Sequence, residues 1–161
     1  MVLKVVPFKF VSEAFLMTMV LFVLSSPMLC AQQNLYELKI GHPRIIMTKY
    51  DELALRFIMM EDPVAETLLK ELKKDADKIL NEKEIKYGMD ENGNMLRTSQ
   101  TYLKRIITLS LAYRLLEVDK YSDKAIDNMM HVASFPDWNP DHFLDVAEMT
   151  AALAIGYDWN F

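Results

Sequence analysis

Residues 99–133 have the sequence SQTYLKRIITLSLAYRLLEVDKYSDKAIDNMMHVA, in which two helical periods are separated by a short link. Ser99 is a helix-capping residue type, and the apolar side chains after it cover most of the circumference of a helix predicted to end near Leu116. A second amphipathic helix is predicted over residues 120–133. The short link favours an antiparallel helix hairpin, and a first helix that is apolar on several sides needs several neighbours.

Two further helices are predicted before this hairpin. Thr48, followed three residues later by Asp51, predicts a helix start, and this helix is placed over residues 49–60. Asp62, followed by proline, predicts the start of the next helix, which ends near Leu80. The apolar positions of the latter step at three and four and are expected to cover a core: Val64, Leu68, Leu69, Leu72, Ala76, Ile79 and Leu80.

The connections between helices carry turn signals. Residues 81–99 break the helical period, and Asn92-Gly93 predicts a tight turn, with a small hairpin around it as one interpretation. Calcium binding by this loop is disfavoured, because the EF-hand positions for glycine and glutamate would hold Met95 and Thr101. Two prolines keep residues 134–141 out of a helix.

A fifth helix is predicted from near His142 to the end of the chain, and it is apolar on almost every side. Such a helix is expected to lie in the middle of a fold. Because no returning helix follows Trp159, we expect further hairpins beyond residue 161. The fold class predicted is all-α, built from antiparallel helix hairpins.

The first 31 residues have the layout of an export signal. Lys4 and Lys9 precede an apolar run that is shorter than the about 20 residues needed to span a bilayer, and small residues follow it. We predict cleavage after Ala31, so that residues 32–161 form a single-domain portion that is periplasmic or extracellular. Two alternatives are a retained anchor and a lipid on Cys30, although Leu29 is larger than the residue that normally precedes a lipid-modified cysteine.

Composition limits the classes of partner. Cys30 is the only cysteine, so disulfides do not stabilise the portion after the predicted cleavage site. The net charge of −5 disfavours long-range attraction to nucleic acid. No phosphate loop, dinucleotide fingerprint or nucleophile elbow occurs in the sequence, and no cofactor is predicted.

The candidate site residues surround the start of the fifth helix. His142, Asp145 and Glu148 are spaced three apart, so they share one side of an otherwise apolar helix. Buried carboxylates need partners, so this side is expected to line a polar cleft or to form structural hydrogen bonds. Metal ligation is disfavoured because the spacing matches no zinc helix motif.

Trp138 and Asn139, just before this helix, offer an aromatic face and an amide suited to a sugar. The alternative is that Trp138 fills the core with Phe135 while Asn139 and Asp141 cap the helix. The segment His42-Pro43-Arg44 could hold an anion, but anchoring of the N-terminal segment is favoured.

Three stretches resemble the heparinase II/III-like polysaccharide lyases: HPRIIMT at 42–48, ASFPDWNPDHFLDVAEM at 133–149 and GYDW at 156–159. The resemblance implies an incomplete toroid of helix hairpins followed by a β-sandwich, with a uronic-acid-containing polysaccharide or glycosaminoglycan in the cleft between them. Residues 32–161 would be the N-terminal portion of that toroid. The resemblance assigns Trp138, Asn139, His142, Asp145 and Glu148 to substrate binding or to the architecture of the cleft.

The mechanism that the resemblance implies is β-elimination. The uronate carboxylate is neutralised, a tyrosine or histidine removes the C5 proton, and a tyrosine protonates the leaving oxygen. The expected catalytic residues lie beyond the end of this chain, so no catalytic residue is assigned and the chain alone is expected to be inactive. The ending Asn160-Phe161 departs from the Leu-Tyr that the family pattern implies, which favours a disturbed or artificial end.

Two other classes of function remain open. Ala112-Tyr113, Tyr121 and Ala125 are faintly similar to a tetratricopeptide unit of a helical-repeat interaction module, but the residues 34 positions away do not repeat the pattern. A non-catalytic carbohydrate-binding protein would keep Trp138 and His142 and would need none of the missing catalytic residues.

Overall fold

The computed structural model describes residues 41–161, and all regular secondary structure within that range is helical. Five helices follow one another: α1 Lys49–Glu61, α2 Pro63–Leu80, α3 Leu96–Leu116, α4 Asp119–Ala133 and α5 Phe143–Asn160. The all-α prediction is therefore confirmed for this part of the chain. The predicted export signal, the cleavage point after Ala31 and Cys30 lie outside the described residues. None of the described helices is long and apolar enough to cross a membrane.

The first two helix starts are confirmed at the level of their caps. Thr48 and Asp51 form a capping box, in which each side chain bonds the backbone N–H of the other residue. The Asp62 side chain accepts a hydrogen bond from the Val64 N–H at 2.8 Å, and Pro63 occupies the first helical position. These contacts are local, which is why the sequence predicts them.

The predicted cap of α3 is wrong. The helix begins at Leu96, three residues before Ser99, and it has no side-chain cap of its own. Ser99 lies buried in the first turn, where its hydroxyl donates a hydrogen bond to Glu148 of α5 and lies 3.1 Å from the Leu96 carbonyl oxygen. The hydroxyl therefore connects two helices instead of starting one.

Helix α3 is the central helix of the described residues, which confirms the expectation that it needs several neighbours. It packs against α1, α2, α4 and α5. Contacts such as Met95 with Asp145 and Ser110 with Asn160 show that α5 runs alongside α3 in the same direction. One core cluster lies between α2, α3 and α4: Ala76, Ile79, Leu109, Ala112, Tyr121 and Ala125.

Helix α5 is apolar on almost every side, and the described residues cover only one of those sides. One side of α5 is buried against its neighbours through Met149, Ala152, Ile155 and Trp159. The opposite side is solvent-exposed, with Phe143 79% and Tyr157 51% exposed. Both sides are apolar, so the sequence pattern does not distinguish them.

Helix α2 covers the core with only part of its length. Ala76 and Ile79 are buried, and Leu72 and Leu80 pack beside them. Val64 and Leu68, expected to cover the core, are 68% and 64% exposed, so the first half of α2 does not cover it. Helix α1, which packs against α2, is also exposed at Phe57 and Met60.

The segment before α1 is attached to the C-terminal end of α5. Asp158, 1% exposed, accepts hydrogen bonds from the Arg44 and Ile45 N–H groups at 2.7 Å each and lies 2.7 Å from His42 Nδ1. Burial by itself raises the pKa of Asp158, but these hydrogen bonds outweigh it and hold the pKa below its ordinary value. The anchoring interpretation of residues 42–44 is therefore confirmed.

Candidate functional site

The candidate site lies where the connection between α4 and α5 meets the start of α3. Residues 134–142 form this connection, which has no regular secondary structure. All five predicted site residues lie on it or on the first turns of α5. The structure brings them to one end of the helical bundle, but it gives them different roles.

Asp145 is the buried centre of the site. Its side chain is fully buried, and its Oδ2 accepts hydrogen bonds from the Met95 N–H at 2.8 Å and from Asn139 Nδ2 at 2.9 Å. His142 Nδ1 lies 3.1 Å from the same oxygen, a close polar contact without hydrogen-bond alignment. The carboxylate therefore joins α5, the connection before it and the residue that immediately precedes α3.

The environment keeps Asp145 ionised. Burial raises the pKa of a carboxyl group, because it penalises the charged form. The hydrogen bond from the Met95 backbone, followed by the contacts with Asn139 and His142, outweighs burial and lowers the pKa below its ordinary value. The negative charge also lies at the N-terminal end of α3, where the helix dipole favours an anion.

Asn139 is a structural residue of this connection. It is 5% exposed and has a backbone φ of 56°, a left-handed conformation that asparagine tolerates better than most residues. Its amide nitrogen donates hydrogen bonds to Asp145 and, at 2.8 Å, to the Gly93 carbonyl. It does not cap α5, whose N-cap residue, His142, makes no side-chain capping bond.

Trp138 is half-buried and fills part of the core. This agrees with the core-filling interpretation, which was the alternative to a sugar-binding face. Its indole N–H donates to the Val132 carbonyl at 3.0 Å, and its ring packs with Phe135 on a second cluster. The buried members of that cluster are Met95, Tyr102, Ile106, Val132, Met149 and Ala152. The indole nitrogen is therefore engaged within the protein, and the remaining ring surface is what a ligand could touch.

His142 and Glu148 form the accessible polar rim of the site. The His142 side chain is 37% exposed while its Nδ1 is buried, so the exposed part of the ring is its other edge. Glu148 is partly buried and bonded to Ser99 through one oxygen, Oε2. These two side chains can offer an imidazole and a carboxylate oxygen to hydroxyl groups of a ligand.

One aromatic residue of the site was not singled out from the sequence. Tyr87, in the connection between α2 and α3, donates a hydrogen bond to Asp137 at 3.0 Å and packs edge-on against Phe135. The same Asp137 oxygen accepts the Asn139 N–H at 2.9 Å. Tyr87 lies 50 positions from Asp137, and no sequence pattern indicates that pairing.

The turn at Asn92-Gly93 is confirmed, whereas the hairpin is wrong because no strand flanks the turn in residues 41–161. The Asp90 carboxylate accepts the N–H groups of Asn92 and Asn94 at 2.9 Å each. Asp90 therefore stabilises the turn itself. Within the described range, no group of three or more histidine, cysteine, aspartate or glutamate residues could hold a metal ion.

Neither a protein-family model nor a curated protein matches this chain.

Proposed function

We propose that residues 32–161 are the N-terminal portion of the helical toroid of an exported protein similar to polysaccharide lyases. The longer protein would act on a uronic-acid-containing polysaccharide by β-elimination. In this proposal the described helices bind or position the polysaccharide, and the catalytic residues are supplied by later parts of the protein.

The hydrogen-bond network of Asp145 carries the proposal. A buried, ionised carboxylate is costly unless it has partners. Oδ2 of Asp145 has three polar neighbours, and Oδ1 has no hydrogen-bond partner among the described residues. The network ties residues 138–142 to α3. Such preorganisation lowers the entropic cost of binding a ligand. We propose that His142, Glu148 and the exposed surface of the Trp138 ring contact the ligand together.

The chemistry of the rim suits the hydroxyl groups of a sugar. The His142 imidazole can donate or accept a hydrogen bond, and the free oxygen of Glu148 can accept one. None of the five predicted site residues is a lysine or an arginine. The carboxylate of a uronate would therefore need a cation from elsewhere. We assign His142 and Glu148 to ligand contact, and Asn139 and Asp145 to support of the site.

An exposed stripe on α5 supports the toroid arrangement. Its members alternate at spacings of four and three, which is the pattern of a helix-packing seam. Its members lie on the side of α5 that the described helices leave uncovered, and Ala147 is the only one that is partly buried: Phe143, Ala147, Thr150, Ala154 and Tyr157. We propose that later hairpins of the toroid pack on this stripe, although a protein partner of a helical interaction module could use the same surface.

The proposal is tested with the purified chain and a set of polysaccharides. Calorimetric titration would compare polygalacturonate, alginate and heparin with the neutral polymer dextran. We expect the acidic polymers to bind, and we expect His142→Ala and Glu148→Gln to weaken binding by roughly 3- to 10-fold, since each removes about one ligand hydrogen bond. Asp141→Asn, an exposed carboxylate at the same end of the bundle, is the matched control.

Ultraviolet absorbance from an unsaturated uronate product would be followed in the same samples. We expect no product from this chain alone, because the family's acid and base are not among its residues. Product formation by the purified chain would contradict the division of roles, and equal affinity of the three variants and the wild type would contradict the assignment of the rim. Sugar binding by a longer natural chain that never forms product would instead favour a non-catalytic carbohydrate-binding protein.

A further inference from the structure

A groove with a volume of about 560 Å³ lies on the surface between α2 and α3. Its walls come from the last turns of α2, the first turns of α3 and the turn at Asp90. Binding sites for small ligands commonly have volumes of about 300–1,000 Å³. None of the five residues predicted from the sequence to form the candidate site lines this groove.

Three cationic side chains line the groove without a hydrogen-bonded or ion-paired partner in the described part of the chain. Lys78 comes from the last turn of α2, and Arg97 and Lys104 come from α3, seven residues apart and therefore on one face of that helix. All three residues are exposed. Gln100, between the two α3 cations on the same face, adds an amide donor.

The acidic residues of the groove are largely engaged with other groups. Glu82 is bound by the buried Arg105, whose Nε and Nη2 both lie 2.8 Å from the same carboxylate oxygen. Asp90 accepts two backbone N–H groups of its own turn. Asp75 is near enough to Lys74 to contribute to the raised pKa of that lysine, after the larger effect of Glu71. The lining therefore carries a formal charge of +1, from four cations and three acids, and its unpaired cations are Lys78, Arg97 and Lys104.

The start of α3 also borders the groove. Leu96 and Arg97, which line the groove, are the first two residues of a 21-residue helix that has no acidic residue in its first turn and no side-chain cap. The N-terminal end of a helix carries partial positive charge and favours anions. The Asp145 carboxylate already lies at this end of α3, where it accepts the Met95 N–H, so the ligand contacts are assigned to the three side chains.

We propose that this groove binds an anionic ligand through carboxylate, sulfate or phosphate oxygens held by Lys78, Arg97 and Lys104. Arginine can grip two such oxygens at once, while each lysine acts as a mobile point charge. The volume suits a molecule of about disaccharide size that carries two or more charges. This binding site is separate from the rim of His142 and Glu148, so it does not depend on the proposed function.

The test is a titration of the isotopically labelled full chain, followed by amide chemical shifts at constant ionic strength. Inorganic sulfate, inorganic phosphate and a digalacturonate are the three probes, and sodium chloride is the reference salt. We expect saturable shifts at Arg97, Gln100 and Lys104, with any shifts at His142 smaller. The double variant Arg97→Gln, Lys104→Gln should lose about tenfold or more in affinity, because two charged contacts are removed.

The matched control is the double variant Lys49→Gln, Lys70→Gln, which removes the same charge from exposed positions outside the groove. It should stay within about twofold of the wild type, since remote surface charges are screened at moderate salt. Binding of sulfate or phosphate without digalacturonate identifies a free oxyanion as the ligand, and binding of digalacturonate identifies an acidic saccharide. The proposal is overturned if no probe gives saturable shifts, or if both double variants lose affinity equally.

The result of this titration can be distinguished from the result of the polysaccharide-binding test of the proposed function. His142→Ala should leave binding of sulfate to the groove unchanged, because His142 does not line it. The groove variants in turn leave the His142 rim intact. Circular dichroism of each variant verifies that an observed loss comes from the ligand contacts and not from unfolding.

Discussion

Replacing Asp145 by alanine is the most informative perturbation of this structure. The substitution removes the acceptor of the Met95 N–H and of the Asn139 amide, both of which are buried. An unsatisfied buried donor costs about 1–3 kcal/mol, and removing one partner of a buried charged network costs about 3–5 kcal/mol. We expect the free energy of unfolding of Asp145→Ala to fall by about 3–5 kcal/mol.

Such a loss would be large for this chain. Domains unfold with a margin of about 5–15 kcal/mol, and at this size each kcal/mol corresponds to roughly 4 °C in Tm. The assay is chemical and thermal unfolding followed by circular dichroism, with exposed Asp141→Ala as the matched control. Asp145→Asn should cost less than alanine, since it keeps one acceptor oxygen while losing the charge.

The pH dependence of the unfolding free energy provides a second test of the role of Asp145. The pKa of Asp145 is lowered in the folded state, so its ionisation contributes stability above the unfolded pKa of about 3.9, and this contribution disappears as the pH falls through the folded pKa. The stability difference between the wild type and Asp145→Asn should therefore be largest near neutral pH and should shrink in acid. If Asp145→Ala and Asp141→Ala unfolded alike, within about 0.5 kcal/mol, the structural role of Asp145 would be refuted.

Three further outcomes are expected. Gly156→Val should destabilise the chain by about 1–3 kcal/mol in urea unfolding, because even a Cβ there would lie 2.5 Å from atoms of α3 and α4. The control Gly88→Val has open space around it and should be nearly neutral. Asp158→Asn should release the segment before α1, detectable as faster limited proteolysis near residue 44, and unchanged cleavage would contradict the anchoring role. The purified chain should self-associate and should bind a dye that reports exposed apolar surface. The double variant Phe143→Ser, Tyr157→Ser should reduce both effects. A monomer that binds no dye would show that the stripe needs no partner.

If later hairpins are absent, five apolar side chains of α5 cannot all be covered, which predicts self-association: Phe143, Leu144, Met149, Leu153 and Ile155. Phe143 and Leu144 are exposed, as that expectation requires. Met149 and Ile155 are buried against the rest of the bundle and Leu153 is partly buried, so two of the five side chains are exposed. The remaining apolar surface comes from the stripe that includes Ala154 and Tyr157, because the described helices leave that side uncovered.

The candidate site was predictable in part. The spacing of His142, Asp145 and Glu148 indicated that carboxylates on an apolar helix need partners, and the structure provides Met95 and Ser99 for them. Those partners lie about 50 positions earlier in the chain, so no local pattern identifies them. Asp158 was missed, although it is also an acid within an apolar helix and the same reasoning about burial applies to it.

The sequence by itself determined the helices whose boundaries depend on local interactions. The starts of α1 and α2 follow from caps that contact residues at most three positions away, and the prolines of residues 134–141 exclude a helix there. The tertiary structure alone decided which helices surround α3, which side of α5 is buried, and that α3 begins at Leu96 beside Asp145. The physical reason is that a cap or a proline acts through neighbouring backbone groups, whereas burial depends on which surfaces meet when distant segments pack together.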